Sequence, residues 1–139
     1  MYKQFEVIDH TADIGIIAYG RELGELMDNA ACGMTSLMID PGTIQTALST
    51  KIELQEQDDV TLLVEWLNEI IYVLDAEGLI FREFAVAISA GLKLSAVCYG
   101  EKLDTARHKL KREIKAATYH NLYIVKLNNV YSANIIFDI

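Results

Sequence analysis

Asp9, His10, Thr11 and Asp13 crowd five consecutive positions between two short apolar runs, residues 5–8 and 14–19. A polar turn held between strands is a common place for a site, because the scaffold supplies rigidity and the loop supplies chemistry. The same residues also suit plain turn bonding by Asp9 and Thr11, with His10 a surface imidazole. A second group closes the sequence, where residues 134–137 read as an apolar strand that ends on Asp138 and Ile139. Alternation puts the Asp138 side chain on the face opposite Phe137, and the terminal carboxylate of Ile139 follows it directly. If Asp13 neighbours that strand end, three hard oxygen donors converge. Such a set suits Ca²⁺, Mg²⁺ or Mn²⁺ and is poor for zinc, which prefers His and Cys. Without a cation the carboxylates would repel and raise one another's pKa, so the cluster makes sense chiefly as a metal site. The plainer alternative makes Asp138 only the last soluble residue of a strand. A third group, residues 113–120, carries Lys115 and His120, which could flank a phosphate. Its plainer reading gives Ile114 and Tyr119 to the core and leaves Lys115 solvated.

Common catalytic signatures are absent: the sequence has no Gly-rich phosphate loop, no nucleophile elbow and no His-Glu-x-x-His pattern. Cys32 and Cys98 form no Cys-x-x-Cys pair, so zinc cages and dithiol redox chemistry are excluded and two buried thiols are expected. A net charge of −8 works against capture of nucleic acid, which depends on many Lys and Arg displacing phosphate counterions. The charge is unevenly spread. Residues 102–115 hold Lys102, Arg107, Lys109, Lys111, Arg112 and Lys115 against Asp104 and Glu113, a local +4 that leaves −12 for the rest. That stretch is either a solvated, partly helical connection or a docking site for an acidic surface or a phosphate.

Elements able to position these groups follow from periodicity. Hydrophobic residues make up 52% of 139, with one proline, which places the chain among compact single domains. Leu23, Met27, Ala30, Met34 and Leu37 recur at three- and four-residue steps and predict a helix over about residues 21–38. Val60, Leu63, Leu67, Ile70, Ile71 and Leu74 predict a second, with Asp58 or Asp59 as N-cap and Gly78 just past its end. Strand patterns cover residues 44–54, 79–89, 92–99, 121–127 and 130–138, the last four as hairpins around Ala90-Gly91 and Asn128-Asn129. With the first two runs, these imply an α+β fold: a mostly antiparallel or mixed sheet of about six strands with two long helices packed on it. No apolar run reaches the ~20 residues of a membrane helix, and residues 1–6 do not resemble a secretory signal, so a soluble cytoplasmic protein is expected.

Taken together the sequence resembles the archease family. The likeness runs through Asp9-His10-Thr11-Ala12-Asp13-Ile14-Gly15, Leu62-Leu63, Trp66-Leu67-Asn68-Glu69, Gly100-Glu101, Glu113-Ile114-Lys115-Ala116, Thr118-Tyr119-His120 and Ile136-Phe137-Asp138-Ile139. Ala117 stands where a β-branched residue is common and Tyr131 where tryptophan is expected. The resemblance implies an accessory protein, not itself catalytic, for an RNA-splicing ligase that joins 2′,3′-cyclic phosphate or 3′-phosphate ends to 5′-hydroxyl ends. It would promote guanylylation of the ligase and so its multiple turnover in tRNA splicing. It implies a bound divalent metal, calcium first and Mn²⁺ or Mg²⁺ otherwise, held by Asp13, Asp138 and Ile139. His10, Lys115, His120, Arg107, Lys109 and Arg112 become candidates for contacting the ligase or its nucleotide. One other function fits the residues, a small metal-dependent phosphoester hydrolase in which Asp13 and Asp138 hold Mn²⁺ or Mg²⁺ and His10 or His120 is the base; the resemblance also suggests a chaperone-like binder of a tRNA-modifying methyltransferase.

Overall fold

The computed structural model describes residues 3–9 and 13–139, Asp9 by its backbone alone. Two helices, α1 (Leu23–Met38) and α2 (Asp59–Glu77), lie between two antiparallel sheets. One sheet has five strands: β1 (Phe5–Asp9), β2 (Ile14–Gly20), β8 (Val130–Asp138) and β6 (Ala116–Ala117) in that order, with β7 (Tyr123–Leu127) also paired to β8. The other has three, in the order β3 (Leu48–Gln55), β5 (Lys93–Lys102), β4 (Leu79–Ser89). The α+β class expected from the sequence is therefore present, with eight strands in two sheets in place of about six in one.

Helix α1 packs on β2 and β4 at once. Its buried residues accordingly run almost all round it, from Leu26 and Met27 through Ala30 and Ala31 to Met34 and Leu37, as a helix covered on two sides requires. Asp58 caps α2, its carboxylate accepting from the Thr61 N–H at 2.7 Å, and Gly78 ends that helix in the left-handed region at φ 69°. The helices are tied by Trp66, fully buried, whose indole N–H donates to the Met27 carbonyl at 2.8 Å and whose ring meets Phe84 edge-on at 5.8 Å. At Gly100 of β5 the β4 backbone leaves no room for a side chain: a Cβ there would sit 1.8 Å from the Ile80 carbonyl oxygen.

Three local expectations change. The run predicted from residue 44 begins pairing only at Leu48, because Pro41–Thr43 forms a short 3-10 turn capped by Asp40. Residues 103–115 contain no helix; they form an irregular strap joined to the body by the Ile39–Leu110 bridge and by the Lys111 N–H donating to the Met38 carbonyl at 2.8 Å. Tyr119 is 54% exposed, not core, whereas Ile114 is buried as expected. Of the two thiols Cys98 is buried and Cys32 half-buried; both are free, and burial pushes each up to about 12.

Candidate functional site

Strand pairing brings the two ends of the sequence together. β2 and β8 run antiparallel with Ile14 opposite Phe137, so Asp13, immediately before β2, is one step beyond that pair, at the position across from Asp138. On the other side of Asp138 lies Ala116 of β6. Ile14, Ile16, Ala18, Ile135 and Phe137 are buried in the core, so alternation turns Asp13 and Asp138 to the outer face of the sheet. Asp138 and Ile139 are exposed, Asp13 half-buried. The Asp138 carbonyl already accepts from the Lys115 N–H at 2.8 Å, which leaves its carboxylate as the free donor and places Lys115 beside it.

Two carboxylates with main-chain oxygens of Ile139 nearby in sequence make a hard-oxygen set of the kind Ca²⁺, Mg²⁺ and Mn²⁺ favour. Among the described residues no group of three or more His, Cys, Asp or Glu side chains could hold a metal, so this edge offers a pair of carboxylates, not a side-chain cage. His10, and the side chain of Asp9, lie outside the described residues.

The second helix supports this edge directly. The Asn68 side chain accepts from the Ala117 N–H at 2.7 Å and donates to the Ala117 carbonyl at 3.3 Å, which clamps β6 against α2. Thr118 continues the grip, its N–H and hydroxyl both donating to the Ile136 carbonyl, at 3.0 and 2.8 Å. A chain that resembles a structured family over Trp66-Leu67-Asn68-Glu69 thus uses Asn68 to hold the strand flanking Asp138.

The basic strap is anchored by a network that periodicity does not reveal. Glu101, 8% exposed, accepts from the Gln45 N–H at 2.6 Å, from Arg107 through both guanidinium nitrogens, and meets His108 Nε2 at 3.0 Å. The Asp104 N–H donates to His108 Nδ1 at 2.9 Å, which fixes the imidazole proton on Nε2, facing Glu101. The Arg107 guanidinium, helped by the Gln45 amide and by His108 and opposed by burial, holds the Glu101 carboxyl down to about 2. His108 is 1% exposed. Arg107 is thereby tied to the body, also reaching the Thr43 carbonyl at 3.2 Å, while its side chain stays 41% exposed. Lys109, Arg112, Lys115 and His120 remain exposed. The one sequence cue to this network is a histidine in a basic run four residues after an aspartate and seven after a glutamate.

Residues 5–139 match the model of the Archease protein family. The chain belongs to the archease family. Proteins named archease from Pyrococcus abyssi, 39% identical over 90% of each chain, and Methanothermobacter thermautotrophicus, 35% identical over 99% of each, are among its relatives. The solution structure of protein 1598 from Methanobacterium thermoautotrophicum superposes with a TM-score of 0.86 at 33% identity, covering 98% of this chain and 99% of that one. A crystal structure described as an archease, possible chaperone, from Thermotoga maritima shares the fold, with a TM-score of 0.68 at 21% identity over 100% and 98% of the two chains. As in those archeases, two helices packed on two antiparallel sheets make the whole domain. Among the described residues of this archease no helix is long and apolar enough to cross a membrane.

Proposed function

We propose that this archease is an accessory protein that docks on an RNA-splicing ligase in the cytoplasm and promotes its guanylylation, and so its multiple turnover. The observation that carries the reading is the β2–β8 register, which sets Asp13 across from Asp138 in a chain of this family. Asp13, Asp138 and the main-chain oxygens of Ile139 would hold a divalent cation, calcium first, Mn²⁺ or Mg²⁺ otherwise. Once bound, such an ion supplies positive charge that can bridge phosphate oxygens. Asn68 and the β6–β8 pairing keep the carboxylates at fixed strand ends, so little ordering is left to do at the moment of binding. Lys115, next to Asp138, and the exposed Arg107, Lys109, Arg112 and His120 are the candidates for contacting the ligase or its nucleotide, with His10, three residues before Asp13 in the sequence. The acidic surface is no obstacle, since the partner is a protein and little direct contact with RNA is needed.

The test is multiple-turnover joining of RNA ends by the ligase with GTP and Mn²⁺. The protein alone should neither join RNA nor hydrolyse phosphoesters, which separates this reading from a small metal-dependent hydrolase. Added in trace amounts to the ligase, it should raise the number of turnovers, and removal of Ile139 should reduce the effect. Unchanged turnover with the wild-type protein would sink the proposal. A relative described as a possible chaperone leaves a second protein-binding reading, a hold on a tRNA-modifying methyltransferase; stabilisation of that enzyme without any effect on the ligase is its signature.

A further inference from the structure

Both sheets turn one face to the helices and one to solvent, and the two outward faces differ in chemistry. On the three-stranded sheet that face carries Lys51, Glu53, Lys93 and Ser95, all exposed, as expected of a surface that stays wet. The outward face of the five-stranded sheet is polar on part of β8, at Ser132 and Asn134, but carries an apolar row on β7. Tyr123, Val125 and Leu127 of β7 are 44%, 41% and 71% exposed, and their pairing with Asn134, Ser132 and Val130 puts them on the side away from the core. Ile17 of β2 and Ile136 of β8 extend the same face toward Asp13 and Asp138. Four strands about 4.8 Å apart and about seven residues long give the whole face about 450 Å², so its apolar part falls at or below the size of an ordinary monomer's largest apolar patch, which is often functional.

The charges on this face decide what covers it. Among the described residues, the ionisable carboxylates that strand position assigns to it are Glu6, Asp13 and Asp138; Lys126, by contrast, turns to the core side, its ammonium 5.0 Å from the Tyr131 ring centre. Glu6 is held by Lys3 at 2.8 Å and by the Tyr19 hydroxyl at 2.8 Å. A second copy would bring the same acidic, apolar face and a further −8 of charge, so self-pairing is opposed. The complement is an apolar protein surface bordered by Lys and Arg. A protein that handles RNA carries such basic groups around its active site, because it must neutralise phosphates.

We infer that the outward face of the five-stranded sheet, centred on Val125 and Leu127 and running to the Asp13–Asp138 edge, is the surface that docks on the ligase. The inference rests on the ligase-activator reading and adds to it which face is used. Docking there would bring the acidic edge in with the apolar patch, against a basic active-site rim.

Binding of the purified ligase is measured by calorimetry for the wild-type protein, Val125→Lys, Leu127→Lys and the opposite-sheet control Ser95→Lys. Both β7 variants should bind at least tenfold more weakly with unchanged melting temperature, while Ser95→Lys binds as wild type, and wild-type binding should weaken as NaCl is raised. Hydrogen exchange on the unmutated protein should show new protection of β7 and β8 amides on adding the ligase. Wild-type affinity in both β7 variants, with protection elsewhere, overturns the docking face and leaves ligase activation standing. A wild-type dimer in sedimentation that Leu127→Lys dissociates also overturns it, in favour of a second copy. If the wild-type protein neither binds nor stimulates the ligase, the activator reading and the docking face fall together.

Discussion

Two side chains at opposite ends of the sequence, Asp13 and Asp138, become neighbours because β2 and β8 pair with Ile14 opposite Phe137. The sequence carries this meeting as chemistry, since oxygen donors of one type at a strand end and just before another strand point to a hard cation; it does not carry the pairing itself, because a register between residues so far apart leaves no local trace. The Glu101 network was invisible for a similar reason: Gln45, Arg107 and His108 reach it from separate segments. Glu101 carries a pH signature. Its carboxyl is held near 2, below an ordinary value of 4.5, so the stabilisation it gives is complete above about 4.5 and is lost as pH falls toward 2. Thermal melts between pH 7 and pH 2 should therefore show a melting temperature that drops below pH 4.5 in the wild-type protein and drops less steeply in Glu101→Gln, which starts lower. Equal slopes would mean that the carboxylate does not hold the strap. Both thiols, pushed up to about 12 by burial, should be silent toward a thiol reagent at pH 8 in the folded protein and both react in denaturant. Rapid labelling of the native protein would contradict the packing.

Among the elements, the two helices were the most legible. Their apolar spacing, the Asp58 cap and the Gly78 stop act locally, so propensity and structure agree. β6 is not legible in the sequence because two alanines carry no alternation and would suit a helix equally well; pairing with β8 and the Asn68 clamp make the strand. Asn68→Ala removes that clamp and leaves the part-buried Ala117 N–H without its acceptor, a loss of about 1–3 kcal/mol. The expected result is a lower melting temperature, faster exchange of the Ala117 amide and weaker support for the Asp138 edge. Unaltered exchange at Ala117 would show that β8 alone holds β6. At the end of α2, Gly78→Ala meets no atom within 4 Å, so its cost is the left-handed backbone alone, about 1–2 kcal/mol in a denaturant melt.

At the scale of the whole molecule, net charge and class were readable from composition, while the division into two sheets was not. Alternation says that a strand has one wet face without saying which partner sheet it joins, and the helices' burial on both sides is the only sequence hint of a second layer. The resulting domain buries its helices and leaves two outward faces, one polar and one with an apolar row on β7, with the acidic edge at the end of the latter. The proposed function has Asp13 and Asp138 act as one unit through a shared cation. Losing either ligand should cost more than the about 10- to 100-fold typical of losing a merely supporting residue at a metal site, and losing both should cost little further.

Guanylylation of the ligase, followed with labelled GTP in the presence of the wild-type protein, Asp13→Asn, Asp138→Asn and the double variant, tests this most directly. Stimulation should fall to the same low level in each single variant and in the pair, with all three still folded. Full stimulation by either single variant, or losses that simply multiply in the double, would contradict a shared site built from the two strand ends.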